Sequence, residues 1–144
     1  IGVAGYPEKH FEAESLHTDI LNLKRKVDAG ADYIITQMFF DNNDFYHFVK
    51  ECRSAGITVP IIPGLKPVST LSHMDKLPEA FSLKIPEDLK KEILKCKNNS
   101  EVFQLGIEWC AAQSKDLIAN GAPAIHYYTM GRAKNIKEVL KRVF

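Results

Sequence analysis

Cysteine is scarce and scattered. The 144 residues hold three, Cys52, Cys96 and Cys110, an odd number without any Cys-x-x-Cys pair. Neither a disulfide framework nor a tetrahedral zinc site is expected from that spacing, and the thiols read as buried core groups. An excess of one charge is also missing. A formal net charge of +1 and one short basic run, Lys24-Arg25-Lys26, exclude the broad positive surface that nucleic-acid binding requires. No apolar run is long enough to span a bilayer, and the apolar start at Ile1 has neither a basic leader region nor an initiating Met. A cytoplasmic location, no membrane partner and a chain excised from a longer one are the expectations. Two signatures of chemistry are absent as well. Gly2-Val3-Ala4-Gly5 lacks the G-x-G-x-x-G spacing of a dinucleotide turn, and no G-x-S-x-G nucleophile elbow occurs.

What is present is a strand followed by a helix, four times over. With 45% hydrophobic and 26% charged residues, the chain describes a globular segment with no room for two ordinary domains. Residues 1–5 form a strand that must stop at Tyr6-Pro7, since proline cannot donate to a ladder. Leu16, Ile20, Leu23 and Val27 recur on one helical face, closed by Gly30. Residues 32–40 are β-branched and aromatic without polar alternation, the pattern of a parallel strand buried on both faces. Residues 43–55 are the next helix, stopped by Gly56, and residues 57–65 hold the third strand, broken at Pro63-Gly64. A long helix over 99–120, a fourth strand over 124–130 and a closing helix over 133–143 follow. Between them, residues 66–98 form an extended polar insertion with Ser69 placed as a helix cap; loops of that length are usually functional or lid-like.

Repeated strand-helix units imply a parallel α/β sheet with right-handed crossovers. A complete (β/α)8 barrel needs about 250 residues, so four units in 144 residues amount to half of one. An open doubly wound sheet is the alternative, disfavoured by the missing glycine-rich turn. Ligands in both architectures sit beyond the C-terminal strand ends, which singles out Tyr6, Gln37, Gly64 and Tyr128. Gly2 and Ala4 before Tyr6 leave space for a flat ring. Gln37, polar in an apolar strand, needs partners for an acceptor and for donors, from a ligand or from a neighbouring loop. Asp19, Asn22 and Lys26 share a helix stripe beside the apolar seam, which suits either a ligand groove or a solvated face. His10, Glu12, His17 and Asp19 match no recognised metal-ligand spacing, and no metal is expected.

Five blocks carry a resemblance. They are Tyr6-Pro7-Glu8-x-His10, the run from Asp19 through Asn22-Leu23-Lys24-Arg25-Lys26-Val27-Asp28 to Ala31, Thr36-Gln37-x-Phe39-Phe40-Asp41, Ile62-Pro63-Gly64 and Tyr128-Thr129-x-x-Arg132-Ala133. In order and spacing they resemble the second half of methylenetetrahydrofolate reductase. No single block is specific, but five in family order are.

The resemblance implies the last four βα units of a TIM barrel and an FAD-dependent enzyme reducing 5,10-methylenetetrahydrofolate to 5-methyltetrahydrofolate with NAD(P)H. It implies FAD contacts from Tyr6, His10, Asp19 and Asn22, from Arg25 and Lys26, and from Ile35, Gln37 and Tyr128. Gln37 is the implied catalytic group, and the folate substrate is expected to meet Gln37, His73, Leu77, Met130 and Arg132. His73 stands where bacterial relatives carry a glutamine, Leu77 where they carry an aromatic, and Met130-Gly131 in place of Leu-Asn. The family's acidic groups lie on the first half of the barrel, so the missing half or a second copy of the chain is an expected partner. The rival reading is a non-catalytic half-barrel module that binds a nucleotide-like ligand or assembles with a second chain.

Overall fold

Four parallel strands pair in chain order in the computed structural model, which describes residues 1–144: β1 (Gly2–Gly5), β2 (Tyr33–Met38), β3 (Ile61–Leu65) and β4 (His126–Tyr127). Helices α1 (Leu16–Asp28) and α2 (Asn42–Ser54) make the first two crossovers. The third passes through α3 (His73–Phe81), α4 (Glu87–Lys95) and α5 (Asn99–Ala119), and α6 (Lys134–Val143) follows β4. The strand order never reverses, unlike that of a doubly wound sheet.

Local chemistry sets the helix starts. Ser15, Asp41 and Asn98 stand in extended backbone and accept N–H groups of the first turns of α1, α2 and α5, which supplies donors that would otherwise be orphaned. Helices α1, α2, α5 and α6 lay their apolar faces on the same side of the sheet. Ile20 and Leu23 of α1, Phe45 and Phe48 of α2, Ile107 and Leu117 of α5 and Val139 of α6 close over Ile34, Ile61 and Leu65. On the outside, α2 and α5 are clasped by polar groups: Tyr46 Oη and Asn42 Nδ2 donate to Asp116 at 2.6 and 2.7 Å.

Several expectations from the sequence require correction. Strand β2 is covered on one face only: Ile34, Thr36 and Met38 are buried, while Tyr33, Ile35 and Gln37 between them stay open to different degrees. Its apolar composition reflects a second face that no helix of this chain covers. Pro63 and Gly64 lie inside β3 and do not break it. The β2–β3 register shifts between Ile35 and Met38, so Pro63 sits where the ladder is already irregular, and the Gly64 N–H turns to Thr36 Oγ1 at 2.9 Å. Strand β4 is two residues long, much shorter than its apolar run. Ser72, not Ser69, precedes α3 and makes no side-chain cap bond. Cys52 and Cys110 are buried and Cys96 half-buried, all three free.

The insertion carries its own small core instead of a structureless loop. Leu77 of α3, Leu89 and Ile93 of α4, and Leu83 and Ile85 between them pack on Met38, Phe40, Val68 and Val102. No helix is long and apolar enough to cross a membrane.

Gly106 in mid-α5 explains how the insertion is seated. A Cβ there would overlap the Val68 carbonyl oxygen and come within 2.7 Å of its carbonyl carbon. The loop after β3 therefore lies directly on the helix backbone. Gly106→Ala gains about 1 kcal/mol of helix propensity, but the clash is with backbone and costs about 1–3 kcal/mol. A net loss, read as a lower urea midpoint at unchanged slope, is the expected outcome; a stabilised variant would show that this approach is not close.

Candidate functional site

The C-terminal ends of the strands are joined by one aromatic side chain. Tyr128, just past β4, donates its hydroxyl to the Thr36 carbonyl on β2 at 2.9 Å, spanning β3 on the way. It can do so because position 64 has no side chain: a Cβ on Gly64 would overlap the Thr36 carbonyl and meet the Tyr128 ring at 2.7 Å. The His126 ring packs edge-on against Tyr128, with centroids 4.6 Å apart. Together with Gly2, Ala4, Tyr33 and Ile35 these two aromatics line a concave groove of about 280 Å³ on the sheet face opposite the helices. The Tyr33 ring already covers Gly2, where a Cβ would meet it at 2.5 Å, so the open floor of the groove is at Ala4 and Ile35.

Beyond β1 the chain turns sharply. The Lys9 N–H donates to the Tyr6 carbonyl at 3.0 Å, with Lys9 in the left-handed region at φ 82. This brings the His10 ring edge-on to Tyr6 at 4.6 Å. The His10 backbone N–H then donates to Asp19 Oδ2 at 2.9 Å, tying the loop to the first turn of α1, and His10 Nδ1 accepts the Glu12 N–H at 3.2 Å. Further along the same helix face Arg25 Nη1 donates to Asn22 Oδ1 at 3.2 Å. Lys26 is exposed and enters no ion pair. Asp19 Oδ1, the Asn22 NH2 group and the Lys26 ammonium have no side-chain partner within the chain. That set offers an acceptor, a donor and a cation along one edge.

Gln37 meets half of its requirement at home. Its Oε1 accepts the Met38 N–H at 2.9 Å, a donor displaced by the register shift, and its NH2 group is held without a protein partner. Beside it lies a narrow crevice walled by Tyr6, Glu8, Gln37, Phe81 and Leu83.

Two charged groups of this region escaped the sequence reading. Glu8 Oε2 accepts the Lys84 N–H at 2.7 Å, whereas Glu8 Oε1 is buried without any partner. Burial above all, with the Asp44 and Asp41 carboxylates adding repulsion against the opposing Lys84 contacts, pushes this carboxyl up to about 7. Lys66, directly after β3, is only 7% exposed, and burial lowers its ammonium from the usual lysine range. The available signal was positional: Lys66 stands immediately past an apolar strand and Glu8 three residues past one.

The insertion and the β4 turn hold the remaining predicted residues. His73 Nδ1 accepts the Ser69 N–H at 3.2 Å, and Ser69 Oγ accepts from Asn135 Nδ2 at 3.0 Å. Leu77 is 5% exposed inside the insertion core, so its side chain is committed to packing and presents no ligand surface. Met130 and Arg132 are exposed on a turn in which Met130 and Gly131 are both left-handed, at φ 48 and 75. The structure therefore brings Tyr6, His10 and Asp19 together, sets Gln37 beside Tyr6, and places Ile35 with Tyr128 in the concave groove. It does not join His73, Leu77, Met130 and Arg132 into one surface. No group of three or more His, Cys, Asp or Glu side chains converges as a metal site.

Residues 1–143 match the family described as methylenetetrahydrofolate reductase. The chain belongs to that family. It is 41% identical over 143 residues to a probable methylenetetrahydrofolate reductase (NADPH) of Caenorhabditis elegans, covering 98% of this chain and 22% of that protein. It is 38% identical over 150 residues to methylenetetrahydrofolate reductase (NADH) 1 of Zea mays, covering 97% and 25%. Against 5,10-methylenetetrahydrofolate reductase of Escherichia coli it is 42% identical over 135 residues, covering 93% and 46%. The chain thus spans less than half the length of these reductases. A solved structure with the same fold is an uncharacterized Clostridium thermocellum protein that binds two copies of 5-methyl-5,6,7,8-tetrahydrofolic acid. It superposes at a TM-score of 0.61 with 18% identity, over 99% of this chain and 51% of that one.

His73 offers a test of the insertion's electrostatics. Burial, then the nearby Lys66 and Lys76 ammonium groups, hold its imidazole below the ordinary 6.5, so the unfolded chain takes up a proton that the folded chain refuses. The stability this contributes is present above 6.5 and is lost as pH falls below it. The expected result is that the urea midpoint of the wild type drops relative to His73→Gln between about pH 7 and about pH 5. Parallel profiles for the two proteins would show that His73 titrates as it does in an unfolded chain.

Proposed function

We propose that this chain is the second half, the last four βα units, of a TIM-barrel catalytic domain. In this reading the completed domain is a cytoplasmic FAD-dependent oxidoreductase that reduces 5,10-methylenetetrahydrofolate to 5-methyltetrahydrofolate, with NAD(P)H as electron donor. The observation that carries the proposal is the placement of two linked groups, Tyr6–His10–Asp19 and Asn22–Arg25, with Lys26 beside them, from the end of β1 along α1 in a chain that matches the reductase family throughout. The names of its relatives and the folate bound to its structural neighbour support the same chemistry.

The residues fit FAD. Lys26 and Arg25 offset the charge of a diphosphate; Asp19 Oδ1 and the Asn22 amide serve sugar and ribityl hydroxyls; Ala4 leaves a ring space above the sheet beside Tyr128. FAD supplies the hydride-carrying centre between nicotinamide and folate, and the protein orients both partners around it. Gln37 is the orienting donor: with Oε1 engaged by the Met38 N–H, its NH2 group is the part left to donate to a ligand acceptor. His73, Met130 and Arg132 are proposed substrate contacts from the insertion and the β4 turn. No proton donor is assigned, since the acidic groups expected for that step belong to the first half of the barrel.

Half-barrel architecture is supported by the unreversed strand order and by helices on a single face. Coverage of 46% of the bacterial relative and 51% of the structural neighbour agrees with it.

In the completed barrel, Lys26→Ala removes a charge-assisted contact of about 1.5–3 kcal/mol, so the FAD dissociation constant should rise at least about tenfold. Flavin fluorescence titration measures this; an unchanged constant would place the diphosphate elsewhere. The chain by itself presents two free strand edges, β1 and β4, and an uncovered sheet face, which favour association. Sedimentation should therefore show a dimer or larger species, and a reductase assay no turnover. A monomer that reduces methylenetetrahydrofolate would refute the half-barrel assignment.

A further inference from the structure

We propose that Glu8 is a positioning residue of the strand-end site: its carboxyl group fastens segment 81–84 of the insertion over Tyr6 and Gln37. The fastening is a single bond between distant parts of the chain, from the Lys84 N–H to Glu8 Oε2 at 2.7 Å, across 76 residues of sequence. What it holds is a turn. Helix α3 ends at Ser82, in the left-handed region at φ 51, and the chain then doubles back so that Phe81, Ser82 and Leu83 face Tyr6, Glu8 and Gln37. The crevice left between them has a volume of about 10 Å³, room for at most one water. A ligand reaching Gln37 from this side must displace the turn, which the Glu8 bond holds at its far end while Leu83 anchors it in the insertion core.

The latch is poorly housed as an anion. Glu8 Oε1 is buried and receives no hydrogen bond. Of the charged groups facing it, Asp44 from α2 and Asp41 at the cap of α2 repel a carboxylate, and Lys84 alone attracts it. A neutral carboxyl keeps an acceptor for the Lys84 N–H without burying charge. An ionised one gains by swinging to water, which releases the Lys84 N–H and loosens that end of the turn. Burial and the two aspartates bring this transition up to about 7 from an ordinary 4.5. In the latched form the proton is favoured, so the latch is strongest below 4.5 and weakens as pH rises to about 7. The same interval limits the change in the latch equilibrium to roughly a few hundredfold. What an open latch admits to Gln37 rests on the function proposed above; the latch itself does not.

Amide hydrogen exchange of the chain decides the matter. Rates for Lys84, corrected for intrinsic exchange, are compared at about pH 5.5 and about pH 8.5, with Ile107 in α5 reporting global opening. The expected result is a loss of Lys84 protection of about tenfold or more at the higher pH, with Ile107 unchanged. Glu8→Gln, neutral at every pH and still an acceptor, should keep Lys84 protected at both; Glu8→Ala should leave it unprotected at both. Equal protection of Lys84 at the two pH values in the wild type, or the same loss in Glu8→Gln, would overturn the proposal. Should a variant fail to fold, the wild-type comparison of Lys84 with Ile107 still decides. A pH-dependent latch together with FAD affinity insensitive to Lys26→Ala would retain the latch and reject the flavin reading.

Discussion

The end of the sheet depends on Thr36. Its hydroxyl accepts the Gly64 N–H from β3 and its carbonyl accepts the Tyr128 hydroxyl from beyond β4, so one residue of β2 ties down both strands on its far side. The need for it arises from the register shift between Ile35 and Met38, which removes regular ladder partners where the strands approach the ligand side. Pro63, with no N–H to place, fits that irregularity, and Gly64 without a side chain lets the tyrosine cross. Gln37 completes the repair by accepting the Met38 N–H. The irregular stretch therefore satisfies its own backbone while fixing two side chains, Tyr128 and Gln37, at the edge of the concave groove.

Much of this was legible in the sequence. The 3.6-residue recurrence of Leu16, Ile20, Leu23 and Val27 marked α1 and its inner face, and glycine stops separated the units. The rule that ligands lie beyond C-terminal strand ends singled out Tyr6, Gln37, Gly64 and Tyr128 as the candidates. What escaped has a common physical reason: it depends on what is absent from, or distant in, the chain. An apolar β2 reads as buried on both faces whether or not the elements that cover its second face are present. Residues 66–98 look polar because α3 and α4 each bury a narrow stripe, Leu77 on one and Leu89 with Ile93 on the other. Pairing of Glu8 with Lys84, or the isolation of Lys66, cannot be seen from spacing, because in each case the partner is set by tertiary packing.

The two overlooked charges lie on different elements at the same end of the sheet. Glu8 follows β1 with an acceptor oxygen left unmatched, and Lys66 follows β3 with an ammonium that enters no ion pair. Burial drives both toward their neutral forms, so neither is stabilised by its present surroundings. Buried ionisable groups without compensation are costly, and such arrangements concentrate where a ligand or a proton is handled. Cys110, also pushed up to about 12 by burial, differs: as a neutral thiol in the core it needs no compensation and is explained by packing alone.

The concave groove and the proposed interface with the rest of a barrel are one surface. Gly2, Ala4, Ile35 and Tyr128 line it, and an opposing half would have to be seated against the same residues that the proposed ligand would meet. Substitutions on this face therefore alter assembly and binding together and cannot distinguish them. The α1 stripe is different, since Asn22, Arg25 and Lys26 lie outside the groove on a helix whose buried face is already complete. A change at Lys26 alters that edge of the helix without touching the sheet. Separation of fold from function in this chain thus runs along α1: its inner face carries the core, its outer edge the charge, and only the second is free to vary without cost to the sheet.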